Sequence, residues 1–275
     1  MGKESILSRF WSPRTWIILA GSTFGVIAAL MTNWGNPPNM GICVACFIRD
    51  IAGALGLHRA SVVQYIRPEI IGFLLGAFIT SFAFGEWRAR GGSSPLVRFA
   101  LGAFVMVGAL VFLGCPIRMM LRIAGGDLNG VMALAGMVAG ILIGVFFLKK
   151  GFNLGRSTQM RPAVGWVMPT LMLGLLLLAI FQPGFIFASK EGPGSMFVPL
   201  RVSLGVGVGV GFLAQRTRMC FVGGWRDLLL VKDSYLFSGV AAFFIGALIT
   251  NYAVGNFATD GLYHWGFVDQ PVAHN

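Results

Sequence analysis

Nearly uncharged apolar runs recur along this sequence at the length of a bilayer-crossing helix, and no other feature narrows its fold as far. The runs are 16–31, 68–85, 97–114, 130–148, 164–181, 198–214 and 236–254, with charged residues gathered in short clusters between them. About 20 apolar residues in helical form cross a hydrocarbon core. Each run is therefore expected to be a helix, and the whole an all-α polytopic membrane protein with about seven transmembrane helices. Of the 275 residues, 56% are hydrophobic and 11% charged, against roughly 45–50% and about 25% in ordinary globular domains. That excess of apolar surface makes a lipid bilayer the expected partner.

The formal net charge is +11. In a chain this apolar, basic residues mark cytoplasmic loops rather than a nucleic-acid surface, so no nucleic acid is expected. Lys3, Arg9 and Arg14 precede the first run, and Arg88, Arg90 and Arg98, then Lys149, Lys150, Arg156 and Arg161, fall between later ones. Alternating crossings then put the N-terminus in the cytoplasm of a bacterial inner membrane. The run 16–31 leads into Asn33, Gly35, Pro37 and Pro38 rather than a cleavage site, so it is a retained span. Segment 32–67 should lie outside yet holds Arg49, Arg59 and Arg67. A short re-entrant segment sheltered by protein resolves that conflict, and 113–126 and 218–231 have the same character.

An internal repeat organises the chain. Gly76-Ala77-Phe78-Ile79-Thr80-Ser81-Phe82-Ala83-Phe84-Gly85 returns as Gly246-Ala247-Leu248-Ile249-Thr250-Asn251-Tyr252-Ala253-Val254-Gly255. Upstream, Cys43 and Arg49-Asp50 are matched at identical spacing by Cys220 and Arg226-Asp227. Five crossings between the copies would invert the second, a recurrent transporter construction with its site where broken helices meet. The expected division is 1–185, a first transmembrane repeat, and 186–275, a partial inverted copy. The first copy continues to Gly114-Cys115-Pro116-Ile117-Arg118, which the second never reaches, so a truncated or split form of a longer protein is expected.

Four cysteines carry the candidate chemistry. Cys43 and Cys46 have metal or redox spacing, but there is no second close pair and the three His are scattered, so neither a zinc site nor a thioredoxin-like unit is indicated. Free cysteines are commonly small buried hydrophobes. That bland fate leaves the arginines unexplained: Arg49 follows Cys43 and Cys46, Arg118 follows Cys115, and Arg218 and Arg226 flank Cys220. Arginine beside a membrane segment tends to face a cavity or an anion. The rival account is structural, with Asp50, Asp127 and Asp227 neutralising neighbouring arginines as buried ion pairs.

At Gly-Cys-Pro-Ile-Arg (114–118), Arg-Met-Cys-Phe (218–221) and the duplicated helix, the chain resembles the YeeE/YedE family of sulfur transporters. Cys-Val-Ala-Cys-Phe-Ile-Arg-Asp (43–50) resembles most the YedE branch, associated with selenium metabolism. The resemblance implies two antiparallel halves around a narrow path in which thiols hand on thiosulfate or a selenium analogue, with Cys115 and Cys220 in that role. A second Gly-Cys-Pro segment of the family pattern is absent. The leading expectation is an importer of a small sulfur or selenium oxyanion, not an enzyme and without a cofactor. Its substrate contacts would be Cys115, Cys220, Cys43, Cys46, Arg118, Arg218, Arg226 and Arg49. Two alternatives stay open: a membrane thiol-disulfide redox protein using Cys43 and Cys46, and an accessory subunit docking a small soluble sulfur-carrier (TusA-like) protein on its basic loops.

Overall fold

Proline sets most of the helix starts. A proline at the first helical position has its φ already fixed and gives up an N–H that would be unpaired there anyway. In the computed structural model, which describes residues 12–92, 94–112, 114–155 and 157–257, prolines open α1 (Pro13–Asn33), α3 (Pro68–Ala83), α4 (Pro95–Phe112), α5 (Pro116–Ala124) and α7 (Pro162–Phe181). Two short helices, α2 (Val44–Ala54) and α9 (Phe221–Leu230), start instead at a cysteine whose sulfur accepts a backbone N–H. The remaining helices are α6 (Asn129–Lys149), α8 (Leu200–Thr217) and α10 (Tyr235–Ala253). A two-residue antiparallel ladder joins β1 (Arg90–Gly91) to β2 (Thr158–Gln159), with Arg90 opposite Gln159.

Two helix pairs form the centre, and both close on glycine. A Cβ on Gly72 of α3 would collide with the Leu204 carbonyl of α8, and one on Gly207 or Gly211 of α8 with the Glu69 or Phe73 carbonyl of α3. In the second pair, Gly21 and Gly25 of α1 sit against the Gly239 and Phe243 carbonyls of α10. Small residues let helix backbones meet in this way. Around these pairs are two apolar clusters. One holds Cys43, Cys46, Phe47, Ile71, Cys115, Met172 and Leu175, and the other Phe24, Met31, Met119, Leu121 and Phe243. Phe24, Phe221 and Phe243 pack edge to face at the heart of the second.

The all-α content agrees with the apolar pattern, but the seven-span arrangement does not form. Among the described residues, five helical segments are long and apolar enough to cross a membrane by length and composition, those starting at Pro13, Pro95, Asn129, Pro162 and Tyr235. The run at 68–85 yields a 16-residue helix, and the run at 198–214 becomes α8, which carries Arg201, Gln215 and Arg216. The multi-pass inner-membrane placement with a cytoplasmic N-terminus rests on counting seven alternating crossings. With the count gone, that placement is withdrawn, and so is the bilayer partner expected from the apolar excess. Lys3, Arg9, Arg156 and the tail beyond 257 lie outside the described residues.

The inverted two-halves architecture is corrected as well. Helix α3 of the first copy packs on α8, and α10 of the second packs on α1. The copies thus interlock backbone to backbone through the glycines, instead of standing as two halves around a path. Of the charges of segment 32–67, puzzling for an external loop, Asp50 and Arg67 are buried in that packing, Arg49 is partly buried against Asp50, and Arg59 is exposed. Large side chains on the outward faces of α4 and α7, such as Phe99, Phe104, Val111 and Phe181, remain exposed.

Candidate thiol site

Two helix N-termini converge on one sulfur. Cys43 caps α2, and its Sγ accepts the Cys46 N–H at 3.4 Å. Cys115 occupies the same position ahead of α5, where Pro116 begins the helix. Gly114 has to be small because the Arg118 side chain folds back over it. With both caps set, the Cys43 S–H donates to Cys115 Sγ at 3.7 Å across 72 residues of sequence. Arg118, fully buried, donates from Nη1 to Cys46 Sγ at 3.3 Å.

The three thiols are electrostatically unlike. Burial pushes the Cys43 thiol well up, and its hydrogen bond to Cys115 acts in the same direction. Cys115 is lowered to about 6, first by the Cys43 S–H and then by backbone N–H groups of Arg118, Ala45 and Val44 at the two helix starts. Cys46 is lowered to about 7, first by Cys43 and then by the positive charges of Arg118 and Arg49. A protonated donor therefore lies against a thiolate acceptor.

A buried ion network holds α2 in place. Asp50 accepts from Arg67 Nε at 2.8 Å and from Arg49 Nη2 at 3.0 Å. Arg67 also donates to the carbonyls of Met196 and Pro193 at 2.9 and 2.7 Å, tying α2 to the chain that enters α8. Its guanidinium lies over the rings of Phe47 and Tyr65, and the Tyr65 hydroxyl is pushed up to about 12 by burial and by the nearby Glu69. Glu69 in turn accepts from Asn36 Nδ2 and the Ser203 hydroxyl. Of these groups, the sequence reasoning singled out Asp50 as a neutralising partner but missed Glu69. The available signal was a carboxylate standing alone at the start of an apolar run.

The eight residues expected to contact substrate do not share one site. Cys43, Cys46, Cys115 and Arg118 come together, with Arg49 at the edge beside Cys46. Cys220 is exposed, outside that cluster, with its sulfur accepting the Gly223 N–H at 3.2 Å. Arg226 pairs with Asp227 at 2.7 Å, which raises its pKa further, and Arg218 reaches Glu86 at 3.8 Å. Arg122, buried, pairs with Asp127. The structural rival of the anion reading therefore accounts for the Arg-Asp pairs.

These contacts overturn the importer of a sulfur or selenium oxyanion. A cysteine-lined path needs Cys220 in line with the other thiols and guanidinium groups turned toward a passage. Instead, three thiols are packed together in one apolar cluster, Cys220 stands apart, and Arg49, Arg67, Arg122 and Arg226 are committed to carboxylates. Thiosulfate and its selenium analogue lose their place as partners with it.

Comparison with known proteins adds little to the chemistry. No family model matches the chain, and no solved structure matches it. An uncharacterized protein of Methanocaldococcus jannaschii is 28% identical over 95 residues, which is 32% of this chain and 90% of that protein.

Proposed function

We infer that Cys43, Cys46 and Cys115 form a thiol-disulfide redox centre in which Cys43 and Cys115 are the pair that closes. The observation that carries this reading is the 3.7 Å approach of the two sulfurs, donor against acceptor, with helix N-termini behind the acceptor. A disulfide needs its sulfurs about 2.05 Å apart, so closure requires a shift of side chains already in contact. The sequence alternative paired Cys43 with Cys46. The three-dimensional pairing favours Cys115 and leaves Cys46 beside Arg118 as a third thiol.

The exchange runs as ordinary thiol chemistry. The Cys115 thiolate attacks a disulfide RSSR, forming a mixed disulfide and releasing RS⁻. The Cys43 thiol then gives its proton to the released thiolate as its sulfur attacks Cys115 Sγ, breaking the mixed disulfide, expelling the second RS⁻ and closing the Cys43–Cys115 bond. The two cysteines are oxidised by two electrons, and RSSR is reduced to one thiol and one thiolate. The reverse direction delivers an oxidising disulfide to a dithiol.

Oxidation with diamide followed by non-reducing peptide mapping tests the reading. A Cys43–Cys115 cross-link is expected, unchanged in Cys46→Ser and abolished in Cys43→Ser. Recovery of all three thiols reduced in folded protein, or a cross-link that survives Cys43→Ser, would remove it.

A further inference from the structure

Behind the thiol pair, the structure opens into a groove. A cavity of about 520 Å³ lies between α4, α6 and the starts of α2 and α5. Cys115 is part of its wall, together with Val105, Pro116, Met119, Ala133 and Met137. Apart from Cys115, no ionisable side chain lines it. Two of its wall positions, Gly108 on α4 and Gly136 on α6, have open space where a Cβ would stand, so the walls there are flat and leave room. Cys43 and Cys46 are not among the lining residues. One sulfur of the pair thus faces a cavity while its partner sits behind it in the core.

We propose that this groove is the substrate site of the redox centre and that it takes a small, uncharged, apolar disulfide, with Cys115 as the entry thiol and Cys43 as the resolving thiol. The proposal rests on the Cys43–Cys115 reading above and adds the substrate class and the order of attack. The volume falls within the range of small-molecule pockets, roughly 300–1,000 Å³. Apart from Cys115 itself, the wall has no charged or hydrogen-bonding side chain, so it gives nothing back for desolvating a carboxylate or ammonium. Charged disulfides such as oxidised glutathione are therefore disfavoured by the groove itself. The mixed disulfide would form at Cys115 with its R group on the apolar wall, leaving the side facing Cys43 clear for the resolving attack.

A matched pair of aromatic disulfides tests the proposal: neutral dithiodipyridine and dianionic dithiobis(nitrobenzoate). Cys220→Ser removes the exposed thiol, and peptide mapping assigns each adduct. The rate at Cys115 with the neutral reagent, divided by that with the dianion, is expected to exceed the same ratio in unfolded protein by at least about tenfold. Filling the groove with Gly108→Leu or Gly136→Leu should cut the neutral rate while the diamide cross-link between Cys43 and Cys115 persists, which also shows that the variants fold. A native ratio equal to the unfolded one overturns the groove as a site, as does exclusion of both reagents from folded protein, and either result leaves the thiol pair standing if diamide still closes it. Loss of the diamide cross-link in the unsubstituted chain sinks the pair and the groove together.

Discussion

Each sulfur of the pair owes its behaviour to what lies within a few ångströms of it. Cys115 is held down to about 6 by the Cys43 S–H and the converging backbone N–H groups, whereas an ordinary cysteine titrates near 8.5. Lowering moves the thiolate range downward, so Cys115 is ionised above about pH 6 and protonated below it. Iodoacetamide labelling of Cys115, followed by mass spectrometry, should then rise through an apparent pKa near 6, while Cys43, raised by burial, stays unlabelled through neutral pH. A Cys115 profile centred near 8.5 would show that the helix starts do not act on it. The same locality separates two carboxylates that look alike in sequence. Asp50 and Asp227 each follow an arginine, but Asp50 is fully buried between Arg49 and Arg67, whereas Asp227 pairs with a half-exposed Arg226. Asp50→Asn leaves the buried Arg67 without its carboxylate and is expected to cost about 3–5 kcal/mol. Asp227→Asn should cost under about 1 kcal/mol, and chemical denaturation of both variants decides it.

At the scale of elements, helix α8 shows how a single pattern serves two environments. Its glycines at 205, 207, 209 and 211 alternate in what they meet: Gly207 and Gly211, one turn apart, press on α3 carbonyls, whereas Gly205 and Gly209 face open space. A methyl group at Gly207 has to displace backbone, so Gly207→Ala should destabilise by about 1–3 kcal/mol. Gly209→Ala meets nothing and should gain up to about 1 kcal/mol from helix propensity. Equal effects in thermal melts would mean that α8 does not pack as described. The sequence made most helices legible, because apolar runs are local signals. It did not say which glycines touch, since that depends on the rotation of α8 against a helix more than a hundred residues away. For the same reason the spacing of Cys43 and Cys46 drew attention to the near pair, while the sulfur that Cys43 meets is 72 residues distant.

For the whole molecule, the repeat is the feature whose sequence was plainest and whose arrangement was least legible. Both copies place a cysteine cap before a short helix and a Thr hydroxyl donating back to a glycine carbonyl, Thr80 to Gly76 and Thr250 to Gly246. Local chemistry therefore recurs wherever the residues recur. How the copies stand to each other follows from long-range contacts that no periodicity records, and those contacts interleave them: α3 with α8, α1 with α10. Such a chain should not divide into two separately folded units. Cutting it in the exposed stretch 151–155 and producing both pieces together should give a complex that co-purifies and still closes the Cys43–Cys115 link under diamide. Each piece alone loses the partner for two of its glycine faces and leaves apolar core helices bare, so neither should show protected amide exchange in α1, α3, α8 or α10. The comparison is informative because every residue of the thiol pair lies in the first piece. If that piece alone formed the cross-link with native protection in α3, the second copy would be an appendage to the redox centre, and the interlocked core would not be what holds the two sulfurs together.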